Sequence, residues 1–332
     1  MQSLEIADTG IVASRIGLGT WAMGGRQWGG TDDAQAIRTI HAALDRGITL
    51  IDTAPAYGFG HAEDVLGRAI AESGQRDRLV VATKAALEWG EGIAAVVRNA
   101  TQARIEQEVE DSLRRLGVEA IDLYQVHWPD PKTPMEETAR TMERLYRDGK
   151  IRAIGVSNFS PAQCDAFREA APLHTVQPPL NLFEREAERD IVPYAKREGL
   201  TMLTYGALCR GLLTGKMRHD STFTGDDLRQ SDPKFQQPRF DQYLAAVEAL
   251  DRFARERHDR GVLELSVRWL LDRHTNGIAL WGARRPEQVD PVERIVDWQL
   301  SAEEMDEIER IVDEHVTDPV GPEFMAPPTR DV

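Results

Sequence analysis

The chain has 332 residues, 41% of them apolar, which is enough to bury one large α/β core or two ordinary ones. Its formal net charge of −15 is spread along the sequence without long runs of one sign, which argues against a nucleic-acid-binding or membrane-binding protein. Cys164 and Cys209 give neither a disulfide framework nor metal-ligand spacing, no signal peptide is recognisable and no apolar run could span a bilayer, so we expect a cytoplasmic protein.

Short apolar runs alternate with longer segments of helical period along most of the chain. Eight runs have strand character, at 16–19, 50–52, 79–84, 121–127, 153–157, 175–178, 201–205 and 277–281. Amphipathic segments predict helices at 32–46, 62–71, 101–116, 134–148 and 189–198. This alternation is typical of a parallel sheet, and eight strands are the number that closes a (β/α)₈ TIM barrel. We therefore expect one α/β barrel domain over residues 1–332.

Four further segments fall outside this alternation. Residues 1–15 predict a hairpin around an Asp-Thr-Gly turn that caps the bottom of the barrel. Two extra helices are predicted at 240–259 and 301–316, the second begun by a capping box. The loop 206–239 is long enough to suggest a function, and the proline-rich tail 317–332 is predicted either to fray or to lie across the barrel mouth.

Four chemically active side chains, Asp52, Tyr57, Lys84 and His127, each follow or end a predicted strand. In a parallel barrel these positions converge on one mouth. A tyrosine keeps its proton to about pH 10, so its use as an acid at neutral pH needs neighbours that favour the phenolate. Lys84 supplies positive charge, Asp52 is placed to hold the ammonium, and His127 to orient a substrate oxygen. Together these four side chains predict a site that delivers a proton to a substrate.

Three motif matches do not carry a function. The Gly-rich stretch 17–22 is followed by more glycine rather than by a helix, so it does not predict a Rossmann site. The stretch 211–217 has one residue too few for a phosphate loop, and Met217 stands where a hydroxyl is needed. Tyr146 and Lys150 have the spacing of short-chain dehydrogenases but end an exposed helix at Gly149.

The segments that contain the four residues also carry a family resemblance. LIDTAPAYGFGHAEDVLGRAI, ATKAAL and IDLYQVHWPD resemble the signature segments of the aldo-keto reductases. The resemblance continues through IRAIGVSNFS, TVQPPLNLFER, YGALCRGLLTGK, ALWGARRPEQ and DPVGPEFMAPP, and so covers essentially the whole chain. The last three segments are similar to the bacterial branch that contains general-stress reductases and NADP-dependent glycerol or glyceraldehyde enzymes.

The resemblance implies a reductase of small aldehydes and ketones that works without a metal. Tyr57 is then the general acid in reduction and the base in alcohol oxidation. Lys84 lowers its pKa, Asp52 pairs with Lys84, and His127 orients the carbonyl. The aromatic residues expected to wall the substrate pocket are Trp21, Trp89, Trp128 and Phe324.

The resemblance also implies a nicotinamide cofactor, because side chains cannot donate a hydride. Ser157, Asn158 and Gln177 correspond to residues that bind the carboxamide, and Tyr205 to one that stacks on the ring. The stretch 206–216 corresponds to the pyrophosphate segment, where Arg210 or Lys216 neutralises charge. The full set of expected cofactor contacts is Gly19, Thr20, Trp21, Asp52, Ser157, Asn158, Gln177, Tyr205, Gly206, Ala207, Leu208, Arg210, Gly211, Lys216, Gly282, Arg284, Arg285 and Gln288.

Arg284 and Arg285 suggest a clamp on a 2′-phosphate, which favours NADP(H) over NAD(H). Val292 departs from the family pattern, which often has asparagine there, so contacts to adenine are the least determined. Two alternatives remain open at this point. One is a nucleotide-binding regulatory subunit of the same fold with little turnover, and the other is a barrel lyase that uses Lys84 as a Schiff-base nucleophile. We expect a monomer or a weak homo-oligomer.

Overall fold

A closed barrel of eight parallel strands forms the centre of the molecule. The computed structural model describes residues 1–90 and 95–330, so the last two residues of the predicted tail, 331–332, lie outside the described residues. In chain order the elements are β1 (Ser3–Glu5), β2 (Val12–Ser14), β3 (Ile16–Gly19), α1 (Asp33–Asp45), β4 (Leu50–Asp52), α2 (His61–Ser73), β5 (Val80–Ala85), β6 (Leu87–Glu88), β7 (Val97–Arg98), α3 (Gln102–Leu116), β8 (Leu123–Val126), α4 (Met135–Arg147), β9 (Ile154–Ser157), α5 (Pro161–Arg168), β10 (Thr175–Gln177), α6 (Ile191–Arg197), β11 (Thr201–Thr204), α7 (Arg239–His258), α8 (Val262–Arg273), β12 (Gly277–Gly282) and α9 (Ala302–His315).

The barrel strands follow the order β3, β4, β5, β8, β9, β10, β11, β12, and β12 pairs with β3 to close the ring. Each predicted strand is therefore confirmed, with ends that differ by at most a few residues. The register sets Asp52 beside Gly19 on one side and Ala82 on the other, and it pairs Lys84 with Gln125. This register brings the polar residues of neighbouring strands to the same end of the barrel.

The N-terminal hairpin closes the opposite end of the barrel, as predicted. Strands β1 and β2 pair antiparallel. Ile6 and Ala13 belong to a buried cluster with Leu50, Val80 and Leu123, which are the first residues of their strands. Because the bottom of the barrel is filled with apolar side chains, only the carboxyl end of the strands is available for chemistry.

The helices form a ring around the barrel, with two additions. The predicted extra helices are confirmed as α7 and α9, which pack against each other, and the capping box of Ser301 and Glu304 is present. After β12 the short turns at 286–294 pack against α1 and α8 in place of a barrel helix.

Helices α5 and α8 were not predicted. The residues of α8 from 265 to 271 are all buried, so this part of the helix has no polar face and no amphipathic period. Helix α5 has only eight residues, which is too short to show a period. It does begin with a capping box of Ser160 and Gln163 and with Pro161 as its first residue, a start signal readable in the sequence.

Candidate active site

Tyr57 lies in the loop between β4 and α2, and this loop is fixed by close backbone contact with a neighbouring loop. A Cβ atom added to Gly24 would lie 2.6 Å from the carbonyl carbon of Tyr57. Gly58 has a φ of +68°, a backbone conformation that residues with a side chain rarely adopt. A Cβ atom added to Gly58 would also be too close to the backbone of Gly24. The two glycines therefore let the loops touch and set the position of the Tyr57 ring over the barrel mouth.

Asp52, Lys84, Tyr57 and His127 come together as predicted. The Lys84 ammonium lies 2.5 Å from Asp52 Oδ1, donates to the carbonyl of Thr53 at 2.9 Å, and reaches the Tyr57 hydroxyl at 3.4 Å. The His127 ring lies edge-on to the Tyr57 ring, with centroids 5.8 Å apart. An ammonium held this closely by a carboxylate is a poor nucleophile, which speaks against a Schiff-base role for Lys84.

The protonation states of the group follow from its burial. Burial lowers the pKa of His127 well below its ordinary value, and the charge of Lys84 lowers it further, so the imidazole is neutral near pH 7. Burial also lowers the pKa of Lys84, although Asp52 opposes this change. The pKa of Tyr57 is raised well above 10.0, first by burial and then by Asp52.

The lowering effect of Lys84 on the pKa of Tyr57 stays a prediction. Burial of the phenol, followed by the charge of Asp52, dominates this pKa and raises it. Tyr57 carries its proton firmly. Lys84 is placed to stabilise the phenolate as it forms rather than to ionise the phenol beforehand.

Asp52 is held by two amides as well as by Lys84. Gln177 donates to Asp52 Oδ2 at 2.9 Å, and Gln125 donates to the same oxygen at 3.3 Å. Gln125 was missed from the sequence, although it lies two residues before His127. Since side chains alternate along a strand, that spacing points both residues into the barrel. The pair of amides keeps a buried carboxylate satisfied.

A cavity of about 310 Å³ opens beside Tyr57 and His127. Its walls include the predicted Trp21 and Trp128, and Leu87, Arg26 and Gln27, which were not predicted.

Among the described residues, Trp89 and Phe324 do not line this cavity, contrary to expectation. Trp89 stacks on Phe59 at 5.5 Å, and Phe324 lies against the guanidinium of Arg210. The aromatic wall is therefore smaller than predicted.

The C-terminal tail lies across the mouth, so the first of its two predicted states, fraying, does not apply to residues 317–330. Met325, Pro327 and Pro328 form part of the cavity wall. Arg98 fixes this stretch, because its side chain donates to the Pro327 carbonyl at 2.7 Å and its backbone N–H to the Pro328 carbonyl at 3.0 Å. Arg330 completes the attachment through an ion pair with Asp130.

A longer cleft of about 540 Å³ shares Trp21, Tyr57 and Tyr205 with the first cavity. Most of the predicted cofactor residues line it, namely Gly19, Thr20, Trp21, Asp52, Tyr205, Gly206, Ala207, Leu208, Arg210, Gly211, Lys216, Gly282, Arg284 and Gln288. Ser157, Asn158 and Gln177 line the smaller cavity instead. Within the described ranges Arg285 lines neither space, so a clamp that includes Arg285 is not supported.

The amides and hydroxyls expected at the inner end form one hydrogen-bonded set. Tyr205 donates to Asn158 Oδ1 at 2.9 Å, and Asn158 Nδ2 donates to the His127 carbonyl at 3.0 Å. The Ser157 hydroxyl donates to the Gln177 carbonyl at 2.8 Å. These residues line the same cavity as Tyr57, so a planar carboxamide bound to them would lie beside the tyrosine.

Arg210 reaches the cleft but does not offer its charge to it. Its guanidinium is buried between Glu184, at 2.5 Å, and Asp232, at 2.6 Å. The expectation that Arg210 neutralises a pyrophosphate is therefore not supported. Lys216, Arg284 and Arg229 are the other cations that line the cleft, and Arg229 is already paired with Asp227 at 2.6 Å. Arg229 was not predicted, because it lies in a part of the long loop without a recognisable motif.

The long loop 206–239 crosses to the opposite side of the cleft. The Asp226 carboxylate accepts the Gln27 N–H at 2.7 Å, and the Leu228 N–H donates to the Gln27 carbonyl at 3.0 Å. Arg284 Nη1 donates to the Trp28 carbonyl at 2.7 Å. With amides at one end and cations at the other, the residues present fit a nicotinamide dinucleotide.

Comparison with known proteins agrees with this geometry. The sequence profile of the aldo/keto reductase family matches residues 15–313. The chain belongs to this family. It is 60% identical to the aldo-keto reductase YhdN of Bacillus subtilis over 331 residues, which are 100% of this chain and 99% of the relative. It is 33% identical to the NADH-specific methylglyoxal reductase of Escherichia coli, over 87% of this chain and 91% of that protein.

Two solved structures of the family match this aldo-keto reductase over nearly its full length. The glycerol dehydrogenase AKR11B4 from Gluconobacter oxydans has a TM-score of 0.88 and 55% identity, with 98% of this chain and 99% of that chain covered. An aldo/keto reductase from Klebsiella pneumoniae in complex with NADP and acetate has a TM-score of 0.72 and 28% identity, with 100% and 98% covered. The protein is thus an oxidoreductase of a family that uses a nicotinamide cofactor. Within residues 1–90 and 95–330, no helix is both long and apolar enough to cross a membrane.

Proposed function

We propose that this aldo-keto reductase reversibly reduces small aldehydes and ketones to alcohols, with NADPH preferred over NADH and Tyr57 as the general acid and base. The observation that supports this most directly is the position of the Tyr57 hydroxyl. It lies 3.4 Å from the Lys84 ammonium, and its side chain is shared by the small cavity and the long cleft. A carbonyl in the cavity and a cofactor in the cleft would therefore meet at one hydroxyl.

Each residue then has a distinct part. When bound, the reduced nicotinamide supplies the hydride. Tyr57 donates its proton to the carbonyl oxygen on which negative charge develops, and Lys84 stabilises the phenolate that remains. His127 is neutral because burial lowers its pKa, so it can donate an N–H to the same oxygen. Asp52 keeps Lys84 in place and charged.

The preference for NADPH rests on charge in the cleft. Arg284 and Lys216 line it and form no ion pair in the described part of the chain, whereas Arg229 and Arg210 line it with their charges matched by carboxylates. A phosphate on the ribose suits arginine, which binds phosphate through a planar fork of donors. The names of relatives divide on this point, since one is called NADH-specific and one was solved with NADP.

The proposed substrates are small and uncharged hydroxyaldehydes or their alcohols, with glyceraldehyde and glycerol as the first candidates. A cavity of about 310 Å³ suits a small molecule, and the Gluconobacter oxydans relative is a glycerol dehydrogenase.

The test follows the absorbance of reduced cofactor, NADPH and then NADH, with glyceraldehyde, methylglyoxal and benzaldehyde. Tyr57→Phe is expected to bind NADPH normally, by quenching of tryptophan fluorescence, while turnover falls by about 10²- to 10⁴-fold. Tyr146→Phe is the matched control, because Tyr146 packs against His174 and lines neither cavity in the described structure. Binding of NADPH without turnover of any substrate would overturn the proposal in favour of a nucleotide-binding regulatory subunit.

A further inference from the structure

A buried carboxylate that the proposed chemistry does not use lies behind the exit of β5. Glu108, on α3, is 3% exposed. Its Oε2 accepts the backbone N–H of Ala86 at 2.7 Å, and its Oε1 accepts Arg104 Nη2 at 3.1 Å. Arg104 in turn donates twice to the Leu87 carbonyl, at 2.7 Å and 3.1 Å. One carboxylate and one guanidinium therefore hold two successive residues of the chain.

The turn that they hold has an unfavourable backbone conformation. Ala86 has a φ of +76° although it is not glycine, and such a conformation is unfavourable and persists only where the surroundings enforce it. The bond from Ala86 N–H to Glu108 and a bond from Asn99 N–H to the Ala86 carbonyl, at 3.0 Å, enforce it here. A relaxed turn would take another path out of the strand.

Three parts of the active site depend on that path. Lys84 lies two residues before Ala86. The Ala85 carbonyl accepts the backbone N–H of His127 at 2.9 Å. Leu87 is part of the wall of the substrate cavity. A shift at Ala86 would therefore move the ammonium, the imidazole and the cavity wall together.

We propose that Glu108 is a positioning residue for the carbonyl reduction, which acts by holding the Ala86 turn and thereby the geometry of Lys84 and His127. The inference rests on the proposed function and extends it to a residue that contacts neither the cavity nor the cleft in the described part of the chain. Glu108 touches no reacting atom. Its effect is expected on turnover rather than on cofactor binding.

The charged groups that face Glu108 come from three elements. Arg104 and Arg115 are on its own helix. From α2 comes Glu63, which accepts the Thr83 hydroxyl at 2.7 Å and Arg115 Nη1 at 2.8 Å. From β8 comes the buried phenol of Tyr124. Burial raises the pKa of Glu108 to about 8, Glu63 adds to the rise, and Arg104 and the Ala86 N–H oppose it. Loss of the proton strengthens both bonds that the carboxylate accepts.

Glu108→Gln tests the inference, because glutamine keeps an oxygen for Ala86 but cannot form an ion pair with Arg104. We expect kcat above about pH 8, where Glu108 is ionised, to fall roughly ten- to a hundredfold, as for small misplacements of catalytic groups, while the Kd for NADPH stays unchanged. We also expect the ionisation near pH 8 in the profile of kcat against pH to disappear. Glu110→Gln, on the exposed side of the same helix, should match the wild type in all three measurements.

The outcomes separate the two claims. If the wild type turns over and Glu108→Gln keeps both its kcat and its pH profile, the positioning role is wrong while the proposed function stands. If kcat falls but the ionisation stays, the carboxylate acts only through packing, and the positioning role is again wrong. A wild type that turns over no substrate overturns the proposed function, and this inference with it.

Discussion

Two buried clusters of charge in this molecule are made from the same kinds of side chain and are arranged differently. The first is the pair Lys84 and Asp52, at 2.5 Å, which we call the catalytic pair after the function proposed above. The second, which we call the buried quartet, consists of Arg210, Lys234, Glu184 and Asp232. Arg210 contacts both carboxylates of the quartet. Lys234 contacts both as well, Glu184 more closely, and donates to a backbone carbonyl. All four side chains are almost completely buried.

The charges of the quartet are matched within it, although Arg210 borders the long cleft. Glu184 receives Arg210 at 2.5 Å, Lys234 at 2.8 Å and the Asn181 amide at 2.7 Å. Lys234 also donates to the Gly321 carbonyl at 3.0 Å, which ties the long loop to the C-terminal tail. Charges matched in this way hold loops together and offer nothing to a substrate.

The catalytic pair differs in its third neighbour. Lys84 reaches the Tyr57 hydroxyl at 3.4 Å, and Tyr57 borders both the cavity and the cleft. Lys84 is thus placed to take part in chemistry because the Tyr57 hydroxyl, which can lose a proton, lies between the ammonium and the cavity. The comparison shows why buried charge alone does not identify a catalytic residue.

The largest expected effect separates the two lysines by activity. Lys84→Met removes the charge that stabilises the phenolate, so we expect kcat to fall by about 10²- to 10³-fold, as for loss of one electrostatic group at a reacting oxygen. Lys234→Met removes a lysine that is equally buried but touches neither Tyr57 nor the cavities of the described structure. Its kcat, measured at a temperature where it is folded, should stay close to that of the wild type. Equal losses in the two variants would contradict the distinction.

The second prediction concerns stability and involves the quartet. Lys234→Met leaves two buried carboxylates with one cation, and breaking a buried ion pair by removal of one partner costs about 3–5 kcal/mol. We expect a loss of this size in the free energy of unfolding, measured by urea denaturation. Lys216→Met is the matched control from the same loop, because Lys216 is exposed and such changes usually stay within about 0.5 kcal/mol. An unchanged midpoint for Lys234→Met would show that the quartet contributes no net stability.

The third prediction compares two neighbouring arginines, one of which lines the cleft. Arg284 lines the cleft and forms no ion pair within residues 1–90 and 95–330, whereas Arg285 lines no cavity there. Arg284→Ala should weaken NADPH binding by about ten- to a hundredfold, since bonds to charged groups contribute about 1.5–3 kcal/mol. NADH binding should change little. Arg285→Ala is the control, and a larger effect from Arg285 than from Arg284 would restore the clamp predicted from the sequence.

Most of the fold could be predicted from the sequence because strands buried on both faces read as apolar runs. The convergence of Asp52, Tyr57, Lys84 and His127 could be predicted because the ends of parallel strands meet at one mouth, so position along the chain determines position in space. Helix α8 could not be predicted, since its burial on all sides removes the period that identifies a helix.

The contacts of long side chains could not be read from the sequence. Arg210 follows the segment pattern of a cofactor loop, yet Glu184 and Asp232, distant in the chain, take its charge. Trp89 likewise stacks on Phe59, because the fold brings the two rings together. The sequence does not show which aromatic partner a side chain will meet. Whether the pKa of Tyr57 is raised or lowered depends on the burial of its hydroxyl, which a sequence pattern does not show.

The smallest expected effect concerns acid, which should act on His127, the neighbour of the catalytic pair, and on the quartet in separate ranges of pH. The folded-state pKa of His127 lies well below 6.5, so the unfolded chain takes up a proton that the folded protein does not. Stability should therefore begin to fall as the pH drops below 6.5, by at most about 1.4 kcal/mol per pH unit for each such histidine. His274 is buried and His174 is half-buried, and burial lowers the pKa of both, so His127→Gln should reduce this slope without abolishing it.

Glu184 responds at lower pH. Burial alone would raise its pKa, but Arg210 and Lys234 outweigh burial and lower it below 4.5. A carboxylate with a lowered folded-state pKa stabilises the fold above its unfolded pKa, and this contribution is lost only as the pH falls through the lowered value. Urea denaturation between pH 7 and 3.5, in roughly half-unit steps, should show Glu184→Gln less stable than the wild type throughout and less sensitive to acid below about 4.5. If Glu184→Gln instead flattened the decline that begins at 6.5, the quartet would be titrating in the range assigned to the buried histidines, and the two clusters would not be independent.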